Sequence, residues 1–508
     1  MSHNVIELLS AAASAYPDKP ALIDQTEEIT FSELYRRAKV IGSYIAGQHF
    51  YRRPVIVLVD RDAASVVSFL GIACSGCFYV PVDVQMPMSR METILHTFRG
   101  TGIAVLAQKK QERIASQLDS EQVSVWYLED IMETQAQDDL MASICASTLD
   151  VDPLYMIFTS GSTGVPKGVI KNHRSIISFI REFTSTFGIT SEDVLGGQAP
   201  FDFDVSAKDI YTMLSVGATL VIFPKTYFSF TKKLVDAMNE YRVTTIIWAV
   251  SALSVVVKMN ALEHDNLHYL KRVLFSGEIL PIPHLNYWRR YLPDVMYVNL
   301  YAPTEVTGNC TYYIVDREFS EQETLPLGRC FPNIEMLVLK EDHSPVLPGE
   351  TGRIYIRGAF LSMGYYANPE KTCAAFIQNP TQDAYPDIVY DTGDLAQCLP
   401  EGGYRFLSRQ DFQIKHHGHR IELGEIETAA NALEAVRASA AIYDKEHQRI
   451  VLFAEGEELS VRYLLGGLRR ALPKYMLPEK TVILEEIPLN KNMKIDRQLL
   501  LTQAEALD

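Results

Sequence analysis

Residues 154–168 read LYMIFTSGSTGVPKG, an apolar, β-rich run that passes directly into a loop of glycine, serine and threonine. Glycines let a backbone approach a ligand closely, and the hydroxyl and N–H groups of such a loop can hold phosphate oxygens. Lys167 adds a positive charge. The spacing differs from the P-loop pattern G-x-x-x-x-G-K-[ST]. The stretch predicts a strand followed by a phosphate-binding loop, and the alternative for this segment alone is an ordinary connecting loop.

Runs of the same β-rich kind recur on both sides of this stretch and alternate with helix-length segments. They are Val55–Asp60, Leu154–Thr159, Thr219–Phe223, Val243–Val250, Arg272–Ser276 and Val295–Tyr301. This alternation predicts an α/β fold, with parallel sheets covered by helices. After about residue 325 the pattern changes to a small β layer. From about residue 410, mixed strands and helices predict a small α+β C-terminal domain.

Composition narrows the class of protein. The 508 residues are 47% hydrophobic and 22% charged, as in a globular chain. The formal charge of −16 disfavours binding to nucleic acid or to an anionic membrane surface. Seven scattered cysteines are typical of a reduced compartment. We therefore expect a soluble, cytoplasmic protein with no nucleic-acid or membrane partner.

Three further segments carry side chains suited to a nucleotide. Asn299–Glu305 ends an apolar strand, and the carboxyl ends of parallel strands are where α/β sheets place ligands; the alternative for this segment alone is a strand end with a tight proline turn. In it, Tyr301 offers a flat face for a base and Glu305 a carboxylate for a metal ion that bridges phosphates. Asp394 could hold the hydroxyls of a ribose, and Lys494 lies in a loop close to the C-terminus.

Together with the segment at 408–427, these motifs resemble the adenylate-forming enzymes over essentially the whole chain. They resemble most closely the amino-acid adenylation enzymes of nonribosomal peptide synthesis. GGQAPFDFDVS at 196–206, FSGEILP at 275–281 and DFQIKHHG at 411–418 are most similar to freestanding D-alanine–carrier-protein ligases. The resemblance implies a large N-terminal body (1–408) and a small mobile C-terminal lid (409–508), with a hinge at Asp411.

The resemblance also implies the chemistry. An amino acid would be activated with ATP and Mg²⁺ as an aminoacyl-AMP, with release of pyrophosphate, and then transferred to the phosphopantetheine thiol of a separate carrier protein. Lys494 would be catalytic, Glu305 would bind Mg²⁺, and Gly418 would face the carrier arm. The residues implied in ATP binding are Thr159, Ser160, Gly161, Ser162, Thr163, Gly164, Lys167, Gly277, Glu278, Asn299, Leu300, Tyr301, Ala302, Pro303, Thr304, Asp394, Arg409 and Lys494.

Some positions depart from the family pattern. The family usually has glycine where this chain has Ala302, Ser408 and Met493. Each change adds bulk near the nucleotide or the hinge, but none removes a catalytic group. The family's usual state predicts a monomer.

The same resemblance implies the substrate pocket. Asp204 would pair with the substrate's α-ammonium, and Asp202 would do so if the register slipped by two. The remaining specificity positions would be Val205, Lys208, Trp248, Leu274, Ser276, Leu300, Gly308 and Asn309. A lysine in a closed pocket predicts an acidic or polar substrate, unless Lys208 extends outward or pairs with Asp209. A small amino acid is the alternative, and Trp248 would exclude large aromatic substrates.

Two other functions compete. An acyl-CoA synthetase shares the fold and the first half-reaction but acts on an organic acid; the acid at Asp204 disfavours it. A noncatalytic nucleotide-binding relative is disfavoured by the presence of Glu305, Asp394 and Lys494. The histidines at 173, 416, 417 and 419 lack a zinc-site spacing, and we expect them to have roles other than metal binding.

Overall fold

The computed structural model describes residues 2–160, 166–263, 265–321, 323–409, 413–488 and 495–507. The chain forms two compact units. The first contains residues 1–84, 100–157 and 169–410, and the second contains 85–99, 158–168 and 411–508. The predicted domain boundary between residues 408 and 409 stays a prediction.

A nine-stranded sheet carries most of the predicted site residues of the first unit. Six of its adjacent strands run parallel, and antiparallel pairs lie at both edges. In spatial order the strands are Arg329–Cys330, Thr311–Ile314, Met296–Tyr301, Arg272–Ser276, Thr245–Ala249, Val194–Gly197, Thr219–Ile222, Pro20–Ile23 and Glu28–Thr30.

Two further sheets are formed mainly by residues of the first unit. The strands of the seven-stranded sheet, in spatial order, are Gly364–Tyr365, Lys167–Asn172, Pro153–Thr159, Phe78–Asp83, Pro54–Val59, Ile103–Ala107 and Val123–Tyr127. The strands of the smaller antiparallel layer are Ile334–Leu339, Thr351–Gly358, Ile388–Cys398, Phe376–Gln378 and Tyr404–Arg409. Apolar side chains from the large sheets and their helices form two buried clusters.

Helices cover these sheets. Thr30 caps the N-terminus of the helix Phe31–Gly47, because its hydroxyl accepts the Glu33 N–H. The α-helices of the first unit are Val5–Ala15, Phe31–Gly47, Ala63–Cys74, Glu112–Leu118, Leu128–Met132, Asp138–Ser147, His173–Phe187, Val205–Val216, Lys225–Ser229, Thr231–Glu240, Val250–Lys258, Ile282–Tyr291 and Pro369–Ala375, with 3₁₀ turns at Lys109–Gln111 and Ala261–Glu263.

The second unit has its own apolar cores. Its strands are Gln413–His416 and His419–Glu422, which form a hairpin, and Ala438–Asp444, Arg449–Glu455 and Lys480–Leu484, which form a three-stranded sheet. Its helices are Met88–His96, Leu423–Asn431, Val461–Ala471 and Arg497–Glu505, with a 3₁₀ turn at Lys474–Met476. Parallel sheets under helices, a small β layer and an α+β C-terminal part confirm the predicted fold class.

Among the described residues, no helix combines the length and the apolar composition that crossing a membrane requires.

Candidate active site

Tyr301, Asp394 and Arg409 meet in the first unit, where the sequence predicted a nucleotide. The Tyr301 hydroxyl donates to Asp394 Oδ2 at 2.5 Å, and Arg409 Nη1 lies 2.7 Å from Asp394 Oδ1. Asp394 and Arg409 are paired on adjacent antiparallel strands, which fixes their separation. Burial raises the pKa of Tyr301 well above its usual value, so the phenol keeps its proton. Because each carboxylate oxygen has two lone pairs, Asp394 retains capacity to accept from ribose hydroxyls.

The turn after Tyr301 supplies most of the other predicted ATP-binding residues. Asn299 Nδ2 donates to the Pro326 carbonyl, which holds the amide at the sheet end. The Pro303 carbonyl accepts the Val306 N–H and closes the turn. Leu300 and Pro303 are buried, and Ala302 and Thr304 are half-buried.

Glu305 lies at the end of this turn and is fully buried. Its Oε1 accepts the Tyr365 hydroxyl at 2.6 Å. A single oriented carboxylate combined with phosphate oxygens is a donor set that Mg²⁺ accepts, since this ion is usually held by one or two carboxylates and substrate phosphates. The chemistry of Glu305 therefore fits the predicted magnesium ligand.

Gly277 and Glu278 follow the strand Arg272–Ser276. Gly277 has φ +103°, and a Cβ there would meet no atom within 4 Å. The glycine is therefore required by its backbone conformation and not by crowding. Glu278 is half-buried beside it.

Asp204 lies at the N-terminal end of the helix Val205–Val216, but its carboxylate does not cap the helix. Instead, Oδ1 accepts the Tyr155 hydroxyl at 2.7 Å and Oδ2 lies 3.6 Å from Lys171 Nζ. Tyr155 is buried and stacks on Tyr79, which holds the phenol in place. The structure thus fixes the predicted amine-binding carboxylate from two sides.

Lys208, Ser276 and Asn309 form a second buried group, which we call the Lys208 group. Lys208 is 2% exposed, and its Nζ donates to Asn309 Oδ1 at 3.0 Å and to Ser276 Oγ at 3.3 Å. Both partners are uncharged. Burial lowers the pKa of Lys208 to about 8, while the nearby Asp209 and Asp204 oppose that shift.

Asp209 is the neighbouring acid on the helix, and within the described part of the chain it is not a hydrogen-bond partner of Lys208. Burial raises its pKa to about 8, opposed by the charges of Lys208 and Arg61. Arg61 is directed to the Gly197 and Gln198 carbonyls. The Lys208 ammonium therefore contacts Ser276 and Asn309, two positions that the sequence predicted for the substrate pocket.

The predicted specificity positions on the sheet strands do not all lie on the same face of the sheet. Leu274 and Leu300 belong to the same buried cluster. Trp248 pairs with Phe275 and packs with it in the other cluster, with its indole N–H bonded to the Gly196 carbonyl. Since Ile247 pairs with Leu274, Trp248 points to the opposite sheet face and is not brought together with the Lys208 group.

Val205 and Gly308 lie at the edge of this region. Val205 is half-buried at the first position of its helix. Gly308 has φ +69°, and a Cβ there would lie 2.3 Å from the Phe179 ring. Core packing and backbone conformation account for glycine at this position.

The described residues of the predicted phosphate loop belong to the second unit. Ser160 Oγ donates to the Arg420 carbonyl and accepts the Glu422 N–H, and Lys167 Nζ lies 4.0 Å from Glu422 Oε1. Thr159 is buried. Gly418 has φ +82° at the hairpin turn. Gly161, Ser162, Thr163, Gly164, Asp411 and Lys494 lie outside the described residues.

No sequence pattern marks Lys171 or Tyr155 as a site residue. Lys171 is fully buried and donates to the Thr304 carbonyl, so it contacts both the Asp204 carboxylate and the turn that ends at Glu305. Burial lowers its pKa, opposed by the charges of Asp204 and Glu305. The available signal in the sequence was a lysine that directly follows the apolar pair Val169–Ile170.

Comparison with known proteins supplies the family. The family described as AMP-binding enzyme matches residues 9–366. Bacitracin synthase 1 of Bacillus licheniformis is 32% identical over 97% of this chain and 9% of its own length. Zwittermicin A synthase ZmaJ of Bacillus cereus is 30% identical over 98% of this chain and 95% of its own length.

A solved structure shows the same fold. The Vibrio cholerae adenylation domain AlmE, in complex with glycyl-adenosine-5'-phosphate, has a TM-score of 0.83 at 21% identity, covering 100% of this chain and 98% of its own. The chain spans less than a tenth of the length of several larger synthases that it matches. The closer likeness to D-alanine ligases stays a prediction. The chain belongs to the AMP-binding enzyme family, as an AMP-forming ligase of the type that nonribosomal peptide synthetases use as adenylation domains.

Proposed function

We propose that the protein activates an amino acid with an acidic side chain and passes it to the phosphopantetheine thiol of a carrier protein. The single observation that carries the substrate choice is the Lys208 ammonium, which is 2% exposed and, among the described residues, donates to the uncharged Ser276 and Asn309. A buried cation is stabilised by an anionic partner, because removing it from water is costly. A side-chain carboxylate of the substrate supplies that partner.

The chain's own residues divide the remaining work. Asp394 and Arg409 hold the ribose, with the carboxylate oriented by Tyr301. Glu305 holds Mg²⁺, which when bound neutralises charge on the phosphates. Asp204 accepts the substrate's ammonium beside Tyr155.

Positioning and charge neutralisation then drive the reaction. An oxygen of the substrate carboxylate forms a bond to the α-phosphorus of ATP as the bond to the pyrophosphate oxygen breaks. Lys494, by resemblance, bridges the carboxylate and the α-phosphate. In the second step the carrier thiol releases its proton to solvent, its sulfur bonds to the acyl carbon, and the bond from that carbon to the phosphate oxygen breaks, so that AMP leaves.

The first test is amino-acid-dependent ATP–pyrophosphate exchange over a panel of D- and L-amino acids, with Lys494→Ala as the inactive control. We expect the strongest exchange with aspartate, glutamate or a related anionic amino acid. Exchange confined to alanine, serine or glycine would overturn the acidic substrate and make Lys208 a structural residue.

A second measurement separates the proposed acceptor from its rival. The aminoacyl-AMP is offered either a phosphopantetheinylated carrier protein or free coenzyme A, and thioester formation is measured. We expect transfer to the carrier protein. Thioester formed only on coenzyme A would favour an acyl-CoA synthetase.

A further inference from the structure

Lys171 places a second buried ammonium in the region of the predicted substrate site. It lies on the strand Lys167–Asn172, its side chain is fully buried, and its Nζ donates to the Thr304 carbonyl. The same Nζ lies 3.6 Å from Asp204 Oδ2. A buried lysine requires an anion; among the described residues Asp204 is its ion-pair partner, and the charge of Glu305 also acts on it.

This contact changes the charge balance at Asp204. The substrate's α-ammonium would be the second cation on a single carboxylate, because Lys171 is already there. Lys208 adds a further positive charge on the next turn of the same helix, and its ammonium is influenced by the Asp204 charge. Like charges in a low-dielectric site repel strongly, so an added ammonium gains less from Asp204 than it would without Lys171.

The charges of Lys171, Asp204 and Lys208 together also suit a substrate that lacks an α-ammonium. Lys171 and Asp204 compensate each other's charge. A carboxylic acid that lacks an α-ammonium can therefore bind without leaving either side chain unpaired. The remote carboxylate of a short dicarboxylic acid then meets the Lys208 ammonium, while its other carboxylate is available for reaction.

We propose that Lys171 is a specificity-determining residue, the resident counter-ion of Asp204, and that the protein therefore activates short dicarboxylic acids as well as the corresponding acidic amino acids. This inference rests on the proposed function, because the same ATP-dependent step is used. One carboxylate oxygen of the diacid bonds to the α-phosphorus, the bond to pyrophosphate breaks, and an acyl-AMP forms.

Matched acid pairs test the inference. We would measure kcat/KM for adenylate formation with L-aspartate and succinate and with L-glutamate and glutarate, using the full chain. The variants are Lys171→Met, which keeps length without charge, and Lys171→Arg, which keeps charge. In the unsubstituted protein we expect the amino acid and its diacid to differ by less than about tenfold.

The Lys171→Met variant removes the counter-ion, so Asp204 then needs the substrate's ammonium. We expect its preference for the amino acid over the diacid to rise by roughly tenfold or more, and the preference of Lys171→Arg to stay near that of the unsubstituted protein. A preference above about a hundredfold in the unsubstituted protein, unchanged in Lys171→Met, overturns the inference. Amino acids would then still be activated, so the proposed function would stand.

If no acid of the panel reacts, the proposed function is contradicted. The counter-ion role of Lys171 can still be tested then, by a measurement that does not depend on activity. Thermal unfolding is compared for Lys171→Met, Asp204→Asn and the double variant. If Lys171 is the counter-ion, each single change lowers Tm, and the double change lowers it by less than the two losses together. Additive losses would show that the two side chains are not coupled and would refute the counter-ion role.

Discussion

Replacing Lys208 with methionine is the most direct perturbation of the proposed pocket. Methionine is unbranched and of similar length, so it fills the same volume without the charge. The change removes the ammonium that donates to Ser276 and Asn309. The side chain is 2% exposed, so water does not take the place of the lost cation.

The size of the effect follows from this burial. Removing one member of a buried, hydrogen-bonded charge pair costs about 2 to 5 kcal/mol, because the remaining charge is left unpaired. At about 1.36 kcal/mol per factor of ten, kcat/KM for an acidic amino acid should fall by about 30-fold to about 5,000-fold. A neutral amino acid of similar size loses no ion pair, so its kcat/KM should fall little or rise.

The assay is pyrophosphate exchange with aspartate and asparagine, and with glutamate and glutamine, because the members of each pair differ mainly in charge. Lys232→Met is the matched control, since this lysine is exposed on the helix Thr231–Glu240. Thermal unfolding checks the fold, and we expect a small change because a buried charge is replaced by an apolar side chain.

One result would refute the reasoning. If Lys208→Met folds normally and lowers the rates with aspartate and asparagine by the same factor, the ammonium does not recognise a substrate charge. The Lys208 group would then be a structural network that holds the helix against the strand Arg272–Ser276.

Four other changes test separate parts of the structure. Burial lowers the pKa of Lys208 to about 8, so KM for an acidic substrate should rise as the pH is raised above 8, and a KM series from pH 6.5 to 9.5 should change much less for Lys208→Met. Burial lowers the pKa of His173 in the folded state to about 4. The stability that this histidine contributes above about pH 6.5 is therefore lost as the pH falls toward 4, by up to about 3 kcal/mol. In urea unfolding, His173→Asn should lose less stability than the unsubstituted protein over the same pH range. Arg90 and Glu425 form an ion pair whose side chains are 6% and 2% exposed. Arg90→Met should lower the free energy of unfolding in urea by about 3 to 5 kcal/mol, and adding Glu425→Gln should recover part of that loss. Equal stability of Arg90→Met and the unsubstituted protein would contradict this. Asp394→Asn should raise KM for ATP by roughly tenfold or more with little change in KM for the amino acid, since it weakens a charged acceptor; an unchanged KM for ATP would remove Asp394 from the nucleotide site.

Strands and their ends could be predicted from the sequence because they depend on local pattern. Arg272–Ser276 agrees with the structure at both ends, since an apolar run bounded by polar or turn residues leaves little freedom. The sheet face on which a side chain lies changes when the strand register shifts by one residue. Trp248 shows this, because a shift of one position along its strand changes the sheet face and separates it from Ser276.

Lys171 could not have been identified as a site residue from its own segment. Its neighbours in the strand are Ile170 and Asn172, and a lysine in such a run is usually solvated. Its partners are 33 and 133 residues away in sequence, so only the packing of the strand against Asp204 and Thr304 brings the charges together. The same packing means that Lys208 is not the only buried cation near Asp204 among the described residues. A pocket selects by its whole charge balance, and the buried cation that shifts this balance lies on a strand outside the specificity positions that the family resemblance implies.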